Sequence, residues 1–233
     1  MKILFCLLQV HAAEQAANVN LPATKDAAMS YLDLVIKGGW LMVPIALLSL
    51  VAVYIFFERY FAIKKASKVD NTFMDRIRDY IHEGKIEAAH NLCQATDKPN
   101  AHMIEKGLQR IGRPVKEIEE SIEIVGKFEV YNLEKNLVIL GVISGIAPMF
   151  GFIGTIAGVI KIFYNISLAD NISIGIIAGG LYEKMVTSAA GLLVGIMAFI
   201  GYHWLNVMVE KVVHKMEYNA MNFIDILQEP IKK

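Results

Sequence analysis

Three hydroxyl side chains stand near the ends of two long apolar stretches, residues 136–160 and 185–209: Thr155 in the first, and Thr187 and Ser188 in the second. Neither stretch contains an aspartate or a glutamate. An alcohol can line a wet path or hold water, but it does not bind and release a proton at neutral pH, and proton relays inside membranes generally use Asp, Glu or His. We therefore interpret the hydroxyls as half of a polar pathway whose acidic group comes from a partner protein.

Other chemistry has little support in the sequence. His203 is the histidine within these stretches, and its place near the cytoplasmic end indicates an interfacial residue rather than a relay. Cys6 and Cys93 lack CxxC or metal-ligand spacing. No nucleophile–base pair or phosphate-binding loop is evident, so we predict neither an enzyme nor a bound metal or cofactor. Zero net charge and the lack of a basic cluster with interleaved aromatics argue against a nucleic-acid partner.

Small residues accompany the hydroxyls at helical spacing. One face of the first stretch carries Ser144, Pro148, Gly151, Thr155 and Gly158, with Gly154 beside it; the second carries Ser188, Gly191, Gly195 and Ala198. In lipid, small residues let helices pack closely. Two interpretations stay open: a helix–helix seam whose hydroxyls bond back to carbonyls, or an ion-pathway lining that includes Ser144.

Residue counting favours a shared depth for the hydroxyls. Thr155 lies about five residues before the end of its stretch, and Thr187 and Ser188 lie about four or five residues after Glu183, so at roughly 1.5 Å per residue all three reach nearly the same level. We predict that this level is in the outer half of the membrane.

The elements that must position these residues are membrane helices. Of the 233 residues, 55% are hydrophobic, and the mean hydropathy of +0.43 is too high for an ordinary soluble domain. A third uncharged run covers residues 38–57, and roughly 20 apolar residues suffice to cross the hydrocarbon core. We therefore predict an all-α polytopic membrane protein with three transmembrane helices.

The pattern of charges divides the chain into seven segments. We predict transmembrane helices at residues 38–63, 136–163 and 184–209, an N-terminal segment at 1–37, a helical region at 64–135, a loop at 164–183 and a helical tail at 210–233. Lys and Arg concentrate in the helical region and the tail, so the positive-inside rule predicts that both are cytoplasmic and that the N-terminus and the loop are periplasmic. Residues 1–13 resemble a short signal peptide; its cleavage, or its retention as a peripheral segment, stays open.

Apolar stripes predict that the cytoplasmic parts form a helical bundle. Val115, Ile118, Ile122 and Val125 predict a helix that runs straight on into the second span. A second stripe predicts that the third span continues as a long helix with an apolar face: Val209, Val213, Met216, Ala220, Phe223 and Leu227. Shorter helices are expected at 73–81, 86–93 and 102–111.

Two motifs then resemble a known family. The run from Ala147 to Gly158, APMFGFIGTIAG, resembles the second-span signature of the MotA/TolQ/ExbB proton-channel family. Glu183, followed by the run TSAAGL from Thr187 to Leu192, resembles its third-span signature. Three spans and a large first cytoplasmic loop favour the ExbB/TolQ branch over the four-span flagellar stators.

The resemblance implies an assembly. It implies a homo-oligomeric ring in the bacterial inner membrane, pentameric in the family, enclosing the single transmembrane helices of an ExbD- or TolR-like partner that carries an intramembrane Asp. Thr155 and Ser188 would face those helices, and Glu183 would lie at the outer mouth. Proton flow would then energise outer-membrane transport through a TonB-like protein. A TolQ-like subunit for envelope maintenance and a structural scaffold without an ion pathway are the alternatives, and the choice between proton and sodium stays open.

Overall fold

The computed structural model describes residues 39–68, 72–168 and 174–229. The N-terminal segment 1–37, with the predicted signal peptide, lies outside them. The described residues form an all-helical chain with helices at α1 (Met42–Ser67), α2 (Phe73–His82), α3 (Ile86–Thr96), α4 (Pro99–Leu108), α5 (Val115–Glu134), α6 (Leu137–Leu168) and α7 (Ile174–Gln228).

Three helical stretches of the described chain are long and apolar enough to cross a membrane: Met42–Ser67, Val115–Leu168 and Ile177–Gln228. This confirms the prediction of an all-α protein with three helices able to span. Helix α7 alone has 55 residues, which confirms that the third span continues as one long helix. Both α6 and α7 extend into the predicted loop 164–183, because α6 ends at Leu168 and α7 begins at Ile174.

The helix expected to run unbroken into the second span is interrupted. Helix α5 ends at Glu134 and α6 begins at Leu137, and between them Asn136 has a left-handed backbone with φ of 68°. Asparagine tolerates this conformation better than most residues. Arg59 of α1 donates to the carbonyl oxygen of Asn132 at 3.2 Å, so the base of the first span is joined to the turn before the interruption. The prediction of a straight helix was wrong, because a two-residue turn hardly changes the spacing of apolar residues from which the helix was predicted.

The shorter helices pack against the C-terminal half of α7. Helices α2, α4 and α5 all contact α7. Its predicted apolar stripe is confirmed, since Val209, Met216 and Phe223 are buried and the intervening stripe residues pack against the same core. A Cβ at Gly107 would overlap the Phe223 ring, so α4 and α7 approach closely there. The apolar stripe of α7 is therefore buried by helices of the same chain.

Histidine–carboxylate pairs join several of these helices. His102 of α4 lies with Nδ1 2.9 Å from Glu129 Oε1 on α5, and with Nε2 3.2 Å from Asp97 Oδ1 at the end of α3. Burial acts to lower the pKa of His102, but the hydrogen bond and charge of Glu129, aided by Asp97, outweigh it, and the pKa is raised above 6.5. His90 pairs with Glu105 at 3.2 Å, linking α3 to α4.

A pH dependence of stability follows from His102. Because its folded-state pKa is raised, its stabilising contribution is fully present below the unfolded-state pKa of about 6.5 and is lost as the pH rises through the folded-state pKa. We expect the melting temperature of the purified protein to decrease as the pH is raised from about 5.5 to about 8.5. In His102→Gln this decrease should be smaller by roughly 2 °C. The control is His214→Gln, whose side chain is 80% exposed and pairs within α7. An identical fall in His102→Gln and the unaltered protein would contradict this assignment.

Candidate functional site

Helices α6 and α7 meet along a seam of small residues. A Cβ built on Gly191 would lie 2.6 Å from the carbonyl oxygen of Ala147 and 3.0 Å from the Cα of Gly151. A Cβ on Gly151 would in turn lie 3.0 Å from the carbonyl oxygen of Ser188. Both glycines are buried. The two backbones are therefore in direct contact, and no side chain larger than hydrogen fits between them.

The seam extends in both directions from this contact. A Cβ on Gly195 would lie 3.0 Å from the carbonyl oxygen of Ser144 and would overlap the Pro148 ring. A Cβ on Gly158 would overlap the aliphatic stem of Lys184. Of the residues singled out by spacing, the seam brings together Ser144, Pro148, Gly151, Gly154 and Gly158 of α6 with Ser188, Gly191 and Gly195 of α7.

Two further glycines of the seam region, Gly141 and Gly201, were not among the residues predicted from spacing. A Cβ on Gly141 would lie 3.3 Å from the Tyr202 ring, and one on Gly201 would lie 3.0 Å from the Phe56 ring of α1. Gly201 continues the series of Gly195 and Ala198 by one more helical step, so extending the series would have found it. Gly141 likewise precedes Ser144 by three residues.

The three hydroxyls lie within about one helical turn of each other along the seam but in different surroundings. Gly154, next to Thr155, would place a Cβ 3.0 Å from Thr187 Cγ2, which agrees with the level expected from residue counting. Thr187 is fully buried in the seam, whereas Thr155 and Ser188 are half-buried. Within a single chain, Thr155 and Ser188 can therefore reach a neighbour, while Thr187 packs the helices together.

The hydroxyls of Thr155 and Ser144 each donate a hydrogen bond to a carbonyl three residues earlier in the same helix. Thr155 Oγ1 donates to the Phe152 carbonyl at 2.6 Å, and Ser144 Oγ donates to the Gly141 carbonyl at 2.6 Å. A serine or threonine that donates to its own helix keeps oxygen lone pairs free to accept from water or a neighbouring group. The side chain of Glu183 lies outside the described residues.

Two potentially reactive side chains, His203 and Cys93, lie in different surroundings. His203 lies near the middle of α7 and is exposed, with its ring centroid 4.2 Å from that of Phe199 and 5.2 Å from that of Tyr202. Burial raises the pKa of the Cys93 thiol to about 12, so this cysteine is unreactive at neutral pH. No group of three or more His, Cys, Asp or Glu within the described ranges is placed to hold a metal ion.

Large apolar side chains cover the outward faces of the spans. On α6 they include Met149, Phe152 and Ile156, and on α7 Leu192, Leu193 and Met197, all of them exposed in the single chain. Exposed apolar surface of this kind suits lipid or other membrane helices. The fold and the seam thus define a polytopic helical membrane protein.

The family follows from comparison with known proteins. Residues 95–218, more than half of the chain, match the model of the MotA/TolQ/ExbB proton channel family. The chain therefore belongs to this family, a membrane-embedded transport family.

Individual relatives agree with this assignment. The chain is 26% identical over 188 residues to a protein of Methanothermobacter thermautotrophicus named as a biopolymer transport protein ExbB homologue, covering 80% of this chain and 66% of the relative. It is 29% identical over 100 residues to biopolymer transport protein exbB1 of Vibrio cholerae, covering 42% and 43%. It is also 29% identical over 97 residues to Tol-Pal system protein TolQ of Haemophilus influenzae, covering 42% and 41%. The matched region spans less than two thirds of the length of each of these relatives, and their names support the ExbB/TolQ branch.

Proposed function

We propose that this chain is the ExbB-like proton-channel subunit of an inner-membrane motor. One observation carries the proposal: Thr155 and Ser188 lie half-buried beside the α6–α7 seam, about one helical turn apart along it, in apolar stretches (residues 136–160 and 185–209) that contain no Asp or Glu. Hydroxyls can accept or relay a hydrogen bond but cannot store a proton at neutral pH. Relays in membranes generally use Asp, Glu or His, so the proposal assigns the proton-binding acid at this depth to another polypeptide.

The proposed assembly gives each side chain of the seam a role toward a partner helix. In the proposed assembly a ring of these subunits, five as in the family, encloses single-span helices of an ExbD- or TolR-like protein that carries the intramembrane Asp. Thr155 and Ser188 face those helices, and Thr187 holds α6 against α7 behind them. Ser144 lines the path nearer the inner end, and Glu183 lies at its outer mouth. A TonB-like protein then couples the motion to outer-membrane transport.

The proposed orientation rests on the distribution of basic residues. Helices α2 to α5 and the C-terminal half of α7 lie in the cytoplasm, and the connection between α6 and α7 lies in the periplasm. Lys64, Lys65 and Lys68 directly follow the apolar part of α1, and Lys211 and Lys215 follow that of α7. Positive charges next to span ends favour the cytoplasmic side.

Two alternatives have observations of their own. The similarity to a TolQ protein favours a role in envelope maintenance as strongly as one in transport. The bonds of Thr155 and Ser144 to their own helix favour a scaffold whose small residues only pack helices. The scaffold hypothesis predicts that Thr155→Val, which has nearly the same shape, is silent.

Proton flux tests the proposal. The chain is co-expressed with an ExbD- or TolR-like protein, and partner-dependent proton flux is measured in vesicles. We expect Thr155→Ala and Ser188→Ala each to lower this flux by about tenfold, because each removes one hydrogen bond from the path. The complex should still copurify. Ser167→Ala is the matched control, because its Oγ also donates within α6, to Tyr164 at 2.7 Å, away from the seam. Unchanged flux in both seam variants would exclude these hydroxyls from the pathway.

A further inference from the structure

An open groove of about 610 Å³ runs between α5 and the C-terminal half of α7. A second cavity of about 340 Å³ continues it toward the base of the spans. The two share Val130, Glu134 and Val213, and the second reaches Leu137, the first residue of α6. The groove therefore leads from the inner end of the membrane helices along the extramembrane part of the chain.

The groove has an apolar floor and an acidic rim. Tyr131 and Met221 line it and remain 66% and 63% exposed. Of the lining residues in the described chain, five are acidic: Glu119, Glu123, Glu134, Glu217 and Asp225. The lining also includes Lys127, which pairs with Glu123 at 2.6 Å. Exposed apolar surface within an acidic rim fits an occupant that is both apolar and basic.

The length and position of the groove narrow the choice of occupant. Its α5 wall, from Glu119 to Glu134, is about 22 Å long at roughly 1.5 Å per residue, which matches about four turns of helix. Segments that flank membrane helices on the cytoplasmic side are rich in Lys and Arg. A helix that enters from the base of the spans would be such a segment, with its basic residues on the rim and its apolar face on the floor.

We propose that this groove binds the Lys- and Arg-rich juxtamembrane helix of a partner membrane protein. The proposal rests on the cytoplasmic orientation given under Proposed function, but not on the role of Thr155 or Ser188. It adds a contact outside the membrane that holds the partner in register with the subunit while the intramembrane helices move.

A peptide-binding experiment tests the proposal. The full chain is placed in nanodiscs of zwitterionic lipid, and the probe is a fluorescent 16-residue peptide with leucine on one helical face and lysine on the other. Empty nanodiscs supply the lipid background, and a peptide with glutamate in place of lysine controls for apolar binding alone. Anisotropy gives the dissociation constant. The rim variant carries E119Q, E134Q and D225N, and its matched control neutralises three exposed carboxylates outside the groove, D79N, E87Q and E120Q.

We expect the lysine peptide to bind the unaltered chain, the rim variant to weaken it about tenfold, and the control variant to leave it nearly unchanged. Equal weakening by both variants would show only general charge attraction and would overturn the proposal, as would an unaffected rim variant. Light scattering measures the number of copies of the chain per particle. If the rim variant lowers this number without changing the peptide affinity, the groove is an interface between copies of the chain and the proposal is overturned. Loss of proton flux in the Thr155 and Ser188 variants is a separate readout, so either proposal can fail alone.

Discussion

Gly191→Ala should prevent α6 and α7 from packing as they do in the native chain. The added methyl would lie 2.6 Å from the Ala147 carbonyl oxygen and 3.0 Å from the backbone of Gly151. Both neighbours are main-chain atoms of a helix, so neither can rotate away, and overpacking of this kind costs about 1–3 kcal/mol or more. Gly191→Leu should cost more, because three further carbon atoms have no space.

The measurement is unfolding of the purified protein in detergent, together with its level in the membrane. Gly145→Ala is the matched control on α6, since nothing lies within 4 Å of a Cβ there. Its higher helix propensity should leave stability unchanged or raise it by up to about 1 kcal/mol. If Gly191→Ala were as stable as Gly145→Ala, the close approach of the two backbones would be wrong, and with it the placement of Thr155 and Ser188 beside one seam.

Phe223→Ala should have the largest effect outside the apolar stretches 136–160 and 185–209. The Phe223 ring is fully buried, in the α7 stripe that packs against α4 and α5. It lies so close to Gly107 that no methyl fits between them. Removing a buried phenyl ring costs about 3–5 kcal/mol, partly for lost burial and partly for the cavity left behind. We expect the end of α7 to separate from α4 and to exchange amide hydrogens faster.

Hydrogen exchange resolved by segment checks this expectation. Phe128→Ala removes a ring of the same type that is 62% exposed on α5, and it should leave exchange in α4 and α7 unchanged. The apolar stretches of α6 and α7 should also keep their protection in Phe223→Ala, because the Gly151–Gly191 contact lies about nine helical turns along α7 from Phe223. Uniform loss of protection along α7 would mean that the two regions unfold together.

Much of the fold was predictable because its signals are local. Long uncharged runs identify the three membrane helices, and the stripe from Val209 to Leu227 identifies the continuation of α7. Gly84 and Gly112, with φ of 72° and 94°, mark turns that interrupt the shorter helices. The turn at Asn136 was not predicted, because an asparagine between two apolar helices carries a much weaker signal than glycine or proline.

For the site, too, features set by spacing along one helix were predictable, and features set by packing between helices were not. Helical spacing alone placed Gly151, Gly191 and Gly195 on seam-forming faces, since residues three and four apart share a face of any helix. Spacing could not distinguish Thr187 from Ser188, which are adjacent in the chain. Only the packing of α6 on α7 buries the first and leaves the second half-exposed.

The sequence by itself determined the class of this protein, its three apolar helices and the lack of any carboxylate in residues 136–160 and 185–209. These properties depend on residue type and on spacing along one helix. The tertiary structure decided which glycines bring two backbones together, which hydroxyls remain partly accessible, and where an acidic groove forms between α5 and α7. Those properties depend on how one helix is rotated against another, and rotation is set by many weak contacts between residues far apart in the chain.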